Sequence, residues 1–214
     1  MTRFNSVVFD VDSTLSGIEG IDWLAKLRGP GVAAWSAELT DRAMRGEIPI
    51  EAVYGQRMRK VRPTETEIQR LGQEYVARIA PGARETLGAF SAANIELVMI
   101  SGGLREAILP LAKALGVRES RLHAVSVFFD QSGQYAGFDE DSPLTQQLGK
   151  KTTVATMGLE GPILAVGDGM TDSEMRSVVD SFAAFTAFTR REPVIERADF
   201  IVENFDQLRE LVLK

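Results

Sequence analysis

The residues best suited to chemistry in this chain are carboxylates that follow short apolar runs. The apolar segment "VVF" at residues 7–9 leads directly into Asp10, and Asp12 comes two residues later. Side chains at that spacing on an extended chain leave on the same side, about 6 to 7 Å apart, so both can face one ligand. Two such carboxylates repel each other unless something holds them.

A second pair of carboxylates follows another apolar run. The segment "PILAVGD" ends at Asp168, and "GDGMTD" continues from there to Asp172. Four carboxylates in one cleft would raise each other's pKa by mutual repulsion unless a cation neutralised them. Mg²⁺ is a hard divalent ion that takes carboxylate, carbonyl and water oxygens. We therefore expect a Mg²⁺ site formed by Asp10, Asp12, Asp168 and Asp172.

Two further polar positions each have an ordinary structural explanation. Ser101 and the glycines after it follow an apolar run, where such residues usually form a turn. Lys150 opens a predicted helix, where a lysine is usually solvated. A P-loop is excluded there, because that motif needs Ser or Thr directly after the lysine and Gly six residues before it, and those positions hold Lys151 and Leu144. Lys150 gains a role only if the cleft binds phosphate.

The apolar runs that carry these residues alternate with helix-like segments, as in a doubly wound α/β domain. Runs of strand length that are apolar throughout are typical of parallel strands covered on both faces, and they occur at 6–11, 95–101, 162–168, 181–188 and 199–202. A hairpin is predicted where "HAVSVFFD" meets "GQYAGFD". Because ligands bind beyond the carboxyl ends of parallel strands, the carboxylates should gather at one edge of the sheet.

Residues 18–80 interrupt this alternation, because they contain no strand-like run. Four helix-like segments occupy the region, and Thr64 with Glu67 fits a capping box at the start of the last one. The sequence therefore predicts a Rossmann-like α/β core with a small inserted helical cap. We expect the core domain to comprise residues 1–17 and 81–214, and the cap domain residues 18–80.

The composition excludes several kinds of partner and site. The chain has 214 residues, 44% of them hydrophobic and 25% charged, which is typical of a globular protein with a core of its own. A net charge of -6 argues against a nucleic-acid partner. The chain has no cysteine, which excludes thiol chemistry, and His123 is its one histidine, which argues against a Ser-His-Asp triad. No signal peptide or membrane span is evident, so we expect a cytoplasmic protein without a membrane partner; the oligomeric state stays open.

Taken jointly and in order, four motifs resemble those of the haloacid dehalogenase superfamily of phosphohydrolases. They are Asp-x-Asp-x-Thr at Asp10, Asp12 and Thr14, a strand-end Ser at Ser101, a Lys at Lys150, and Gly-Asp-Gly-x-x-Asp from Gly167 to Asp172. The resemblance implies that Asp10 is a nucleophile that forms an aspartyl phosphate, and that Asp12 is the general acid and base.

The same resemblance assigns the remaining core residues. Ser101, the amide of Gly102 and Lys150 would bind the phosphate oxygens and offset their charge. Mg²⁺ would be held by a carboxylate oxygen of Asp10, the backbone carbonyl of Asp12, Asp168 and Asp172.

The segments "EGID", "AMRGEIP" and "QYAGFDE" are similar to the phosphoserine phosphatase branch of that superfamily. In that branch a glutamate and an arginine of the cap hold the amino and carboxylate groups of the substrate, and these match Glu19 and Arg57. Without the resemblance, both residues are read as parts of a solvated helix face. The implied reaction is Mg²⁺-dependent hydrolysis of O-phospho-L-serine, a step of serine biosynthesis.

Two alternatives stay open at this point. One is a phosphatase or phosphotransferase for another small phosphomonoester. The other is a non-catalytic metal- or phosphate-binding module, although the presence of both Asp10 and Asp12 argues against it. Some members of the branch carry Gly-Gly-Asn where this chain has Thr186, Ala187 and Phe188, so the sequence does not settle the shape of the pocket.

Overall fold

A six-stranded parallel sheet forms the centre of the computed structural model, which describes residues 2–214. The strands are β1 (Ser6–Phe9), β2 (Glu96–Leu104), β3 (Leu122–Val125), β6 (Ile163–Gly167), β7 (Ser181–Phe185) and β8 (Phe200–Val202), and a separate hairpin joins β4 (Val127–Phe129) to β5 (Tyr135–Phe138). The order in the sheet is β3-β2-β1-β6-β7-β8. This is the doubly wound α/β arrangement that the alternating runs predicted.

Ten α-helices accompany these strands within residues 2–214. They are α1 (Gly20–Lys26), α2 (Pro30–Met44), α3 (Ile50–Val61), α4 (Glu65–Ala77), α5 (Ala83–Ala92), α6 (Arg105–Ala114), α7 (Gly149–Ala155), α8 (Met170–Ser173), α9 (Glu192–Ile195) and α10 (Phe205–Leu213). None of these helices combines the length and the apolar character that crossing a membrane requires.

The central position of β1 explains its uninterrupted apolar sequence. Val7, Val8 and Phe9 are all 0% exposed, because helices cover both faces of the sheet. Val8 is paired with Val98 of β2 on one side and Ala165 of β6 on the other. Burial on all sides fixes the strand, and Asp10, the residue after it, therefore lies at the edge of the sheet.

The strand order reverses between β1 and β6, and this reversal creates the crevice in which α/β proteins bind ligands. Asp10 follows β1 and Asp168 follows β6. The amide of Asp10 still donates to the carbonyl of Val166 at 2.9 Å, which keeps the two strand ends in register. The topology therefore places the two predicted carboxylate pairs side by side.

The predicted hairpin is correct in part. Its first half, "HAV", belongs to β3, which pairs in parallel with β2 at the edge of the main sheet. The hairpin itself begins at Val127, whose amide donates to Glu106 Oε2 at 3.0 Å. The sequence does not show where β3 ends and β4 begins, because the two strands form one nearly continuous apolar run. Their separation depends on pairing with different partners, β2 and β5, of which β2 is distant in sequence. Strand β7 also ends at Phe185, three residues earlier than predicted.

Helices α1–α4 lie within residues 18–80, where the sequence showed no strand. The capping box of α4 is confirmed: Glu67 N donates to Thr64 Oγ1 at 3.3 Å, and Thr64 N donates to Glu67 Oε2 at 2.9 Å. Helix α4 packs closely on α6, since a Cβ on Gly72 would lie 3.2 Å from the carbonyl oxygen of Ala107. This close approach ties α4 to α6, which packs on β2 and β3.

The chain passes between the sheet and helices α1–α4 twice, and the two passages are hydrogen-bonded to each other. We call them the crossing, formed by residues 15–17 and 78–80. Gly17 N donates to Arg78 O at 2.9 Å, and Ala80 N donates to Leu15 O at 2.9 Å. The crossing is therefore a short two-stranded junction and not a pair of loose linkers.

Candidate active site

Asp10 lies at the bottom of a cavity at the carboxyl edge of the sheet. Lys150, in the first turn of α7, places Nζ 2.5 Å from Asp10 Oδ1 and 2.6 Å from Asp172 Oδ1. The second oxygen of Asp172 accepts from the amide of Gly169 at 2.9 Å. All three charged side chains are buried. The strand ends and α7 therefore bring together the residues that the sequence predicted from separate segments.

Asp12 lies beside this cluster but has its own hydrogen-bond partners. Its Oδ1 accepts from Gly20 N at 2.6 Å and from Tyr75 Oη at 2.7 Å. Its Oδ2 accepts from Ser101 Oγ at 3.1 Å. Ser101 lies within β2, and its Oγ also accepts from Gly103 N at 2.8 Å. Asp12 is thus oriented by donors from three different elements.

Asp168 is held by a residue that sequence reasoning did not single out. Arg191, buried beside α9, donates from Nη1 to the Asp168 carbonyl at 3.2 Å and to Asp168 Oδ2. Thr14 Oγ1 donates to Asp168 Oδ1 at 3.4 Å. A loop that follows β7 therefore fixes a carboxylate that follows β6.

Burial dominates the electrostatics of these carboxylates. It raises the pKa of Asp10 to about 7, and the nearby carboxylate of Asp172 adds to the rise. It also raises the pKa of Asp168 well above its usual range, with Asp10 as the next cause. For Lys150 burial alone would lower the pKa, but the carboxylates of Asp10 and Asp172 outweigh it and raise the pKa. The cleft thus holds more negative charge than its lysine balances.

Glu19, directly before α1, and Arg57 of α3 line the same cavity as Asp10. Glu19 Oε1 accepts from Ser13 Oγ at 2.7 Å. Burial, followed by the charge of Asp12, raises the pKa of Glu19 to about 8. Arg57 Nη2 lies 2.8 Å from Asp22 Oδ1. Neither predicted residue lies on a solvated helix face, so the alternative explanation of both is wrong.

Comparison with known proteins identifies the family of this site. A model of the haloacid dehalogenase-like hydrolases matches residues 7–176, which include both carboxylate pairs and Lys150. The chain belongs to that family. It is 34% identical over 207 residues to phosphoserine phosphatase of Bos taurus, covering 95% of this chain and 91% of that protein.

Two further similarities concern a second relative and, for the fold alone, a solved structure. It is 35% identical over 208 residues to the chloroplastic phosphoserine phosphatase of Arabidopsis thaliana, covering 95% of this chain and 70% of that one. The structure of a phosphoserine phosphohydrolase-like protein from Francisella tularensis superposes with a TM-score of 0.90 at 23% identity, over 98% and 100% of the two chains. This hydrolase is a phosphoric monoester hydrolase of the phosphoserine phosphatase branch.

The donor set of the hydrolase fits a divalent metal ion. Carboxylate oxygens of Asp10, Asp168 and Asp172 all lie within 4.8 Å of one another, and all three residues are buried. Buried carboxylates at this spacing are the ligands of hard divalent ions. The carboxylate of Asp12 is not part of this group, and it accepts hydrogen bonds from Gly20, Tyr75 and Ser101.

The cavity of the hydrolase is shaped by residues other than the three that the sequence left open. Thr186, Ala187 and Phe188 do not line it, although all three lie among the described residues. Phe188 instead lies at the crossing, where a Cβ on Gly17 would be 2.6 Å from its ring. Tyr54 of α3 does line the cavity, and its hydroxyl has no hydrogen-bond partner within residues 2–214.

Proposed function

We propose that this hydrolase cleaves O-phospho-L-serine to L-serine and phosphate, with Mg²⁺ as its metal ion. The observation that carries the proposal is a single cavity that holds Asp10, Glu19 and Arg57. Glu19 can accept from an ammonium group and Arg57 can bind a carboxylate, and a phosphorylated amino acid carries both groups. Sugar phosphates and polyol phosphates carry neither.

Contacts around Arg57 support this assignment. Its Nε donates to Ser36 Oγ at 3.1 Å, and Asp22 accepts from its Nη2, so the guanidinium is oriented before a substrate arrives. Tyr54 lines the same cavity, and its hydroxyl, which is buried without a partner within residues 2–214, would be a further donor for the substrate carboxylate. A preoriented donor loses little entropy on binding.

The core residues would carry out the reaction in two steps. Asp10 attacks phosphorus and becomes an aspartyl phosphate while Asp12 protonates the departing serine oxygen. Asp12 then accepts a proton from the water that cleaves the intermediate. Ser101, the amide of Gly102 and Lys150 bind the phosphate oxygens.

Mg²⁺ would be held by Asp10, the carbonyl of Asp12, Asp168 and Asp172, and it would neutralise charge on the phosphoryl group when bound. In the same proposal, residues 18–80 form a cap domain over a core of residues 1–17 and 81–214. The cap excludes water and selects the leaving group. The cytoplasmic location and the absence of nucleic-acid and membrane partners stay predictions from the sequence.

The test is a comparison of kcat/KM across a panel of small phosphomonoesters, with Mg²⁺ and with EDTA. The panel contains phosphoserine, phosphoethanolamine, a phosphorylated hydroxy acid and a sugar phosphate, and Asp10→Asn is the inactive control. We expect the highest value for phosphoserine and no turnover in EDTA. A kcat/KM for a sugar phosphate that equals the value for phosphoserine would refute phosphoserine as the preferred substrate. Phosphate recovered on an added alcohol would favour a phosphotransferase.

A further inference from the structure

The hydroxyl of Tyr75 is a part of the site that the proposed reaction does not use. Tyr75 lies on α4, and its side chain is 0% exposed. Its Oη donates to Asp12 Oδ1 at 2.7 Å. Most buried tyrosine hydroxyls have a hydrogen-bond partner. Here that partner is the carboxylate assigned to proton transfer.

Gly20 provides the space in which this hydrogen bond forms. Its amide donates to the same oxygen, Asp12 Oδ1, at 2.6 Å. A Cβ on residue 20 would lie 2.1 Å from Tyr75 Oη and 2.9 Å from Tyr75 Cζ, so any larger residue would displace the tyrosine. Glycine at position 20 therefore lets two donors reach one oxygen.

The two oxygens of Asp12 consequently have different surroundings. Oδ1 accepts two short hydrogen bonds, whereas Oδ2 accepts one longer bond, from Ser101 Oγ at 3.1 Å. A proton on Oδ1 would meet the amide of Gly20, which is a donor only and cannot accept it. A proton on Oδ2 meets a hydroxyl, which can turn and accept it. The asymmetry leaves Oδ2 free for proton transfer.

We propose that Tyr75 is a positioning residue that, together with the Gly20 amide, fixes Asp12 by Oδ1 so that Oδ2 carries the transferable proton. The inference rests on the proposed function. The Oδ2 proton moves to the serine oxygen as its bond to phosphorus breaks and the bond between Asp10 and phosphorus forms. In the second step a water proton returns to Oδ2 as the water oxygen replaces Asp10 on phosphorus.

The location of Tyr75 on α4 suits this role. Gly72, one turn earlier, lies against Ala107 of α6, so α4 is fixed to the sheet domain. Ser16 of the crossing adds a second tie, because its Oγ donates to the Tyr75 carbonyl at 3.0 Å. Asp12 is therefore anchored by a helix that is itself held in place.

The dependence on the leaving group tests this role. Phosphoserine releases an alkoxide, which needs the proton of Asp12, whereas acetyl phosphate releases acetate, which needs none. The variant is Tyr75→Phe, and the measurement is the single-turnover rate of leaving-group release for both substrates. We expect the rate for phosphoserine to fall about 10- to 100-fold, and the rate for acetyl phosphate to change less than about 3-fold.

Two companion variants keep the result interpretable. Tyr135→Phe removes a hydroxyl on β5, outside the cavity, and should leave both rates unchanged. Gly20→Ala displaces the same hydroxyl, so it should also lower the rate for phosphoserine selectively. The double variant with Tyr75→Phe should lower that rate by less than the product of the two single-variant factors. Thermal melts show whether each variant is folded.

Equal losses for both substrates, or no loss for either, would overturn the positioning role. The proposed function can fail separately. If the unmodified protein does not release serine from phosphoserine, the same ratio is measured with whichever alkyl phosphate it does hydrolyse. Tyr75 is then still tested against acetyl phosphate.

Discussion

Removing the guanidinium of Arg57 should weaken binding of phosphoserine specifically through the substrate's carboxylate. The side chains of Arg57 and Asp22 are only 11% and 10% exposed, so water screens this end of the cavity poorly. A hydrogen bond to a charged group contributes about 1.5 to 3 kcal/mol in such surroundings. At about 1.4 kcal/mol per factor of ten, Arg57→Ala should raise KM for phosphoserine about 10- to 150-fold.

The assay compares phosphoserine with phosphoethanolamine, which has the amino group but no carboxylate. KM for phosphoethanolamine should change less than about 3-fold in Arg57→Ala, since the lost contact does not exist for that substrate. Arg59→Ala is the matched control, because Arg59 lies on the same helix and is exposed. Equal rises in KM for the two substrates would refute the carboxylate contact.

Three further predictions concern charge and stability. Saturating Mg²⁺, at about 100 times its Kd, should raise Tm by about 5 to 10 °C in scanning fluorimetry, and Asp168→Asn should shrink that rise. Burial raises the pKa of Glu19 to about 8 from an ordinary value of 4.5. The contribution of Glu19 to stability is therefore fully present below about pH 4.5 and is lost as the pH rises towards 8. In metal-free protein, Glu19→Gln should flatten the decline of Tm between those two pH values. Arg191→Met leaves Asp168 unpaired and should cost about 3 kcal/mol in urea unfolding; a loss as large in Arg191→Lys would show that packing, and not charge, holds the pair.

The strand-end carboxylates were predictable because one rule governs all of them. A fully apolar run such as "VVF" indicates a buried parallel strand, and parallel strands end at one edge of their sheet. Asp10 and Asp168 therefore had to lie at the same edge of the sheet, and the pairing of β1 with β6 makes them neighbours. The structure and the family comparison both agree with that deduction.

Tyr75 and Arg191 could not be found in the same way. Tyr75 continues the spacing of Ile68, Leu71 and Gly72, which is the apolar face of an ordinary amphipathic helix. Arg191 is 23 residues from the carboxylate it binds, and no local pattern reports that contact. The nearest signal was the triplet Thr186, Ala187 and Phe188, which departs from the Gly-Gly-Asn of some members of the branch and ends three residues before Arg191. A role that depends on a contact between residues distant in sequence can be recognised only from the three-dimensional structure.

The packing of α4 on α6 has a consequence for how the proposed substrate could change. Tyr75, which donates to Asp12, lies on α4 beside this contact, while Arg57 and its supports Asp22 and Ser36 all fall within residues 21–61. Under the proposed function, mutations in that interval would alter the contact to the substrate carboxylate and leave the Tyr75–Asp12 hydrogen bond in place. Residues 21–61 are therefore the segment to vary when a different leaving group is wanted.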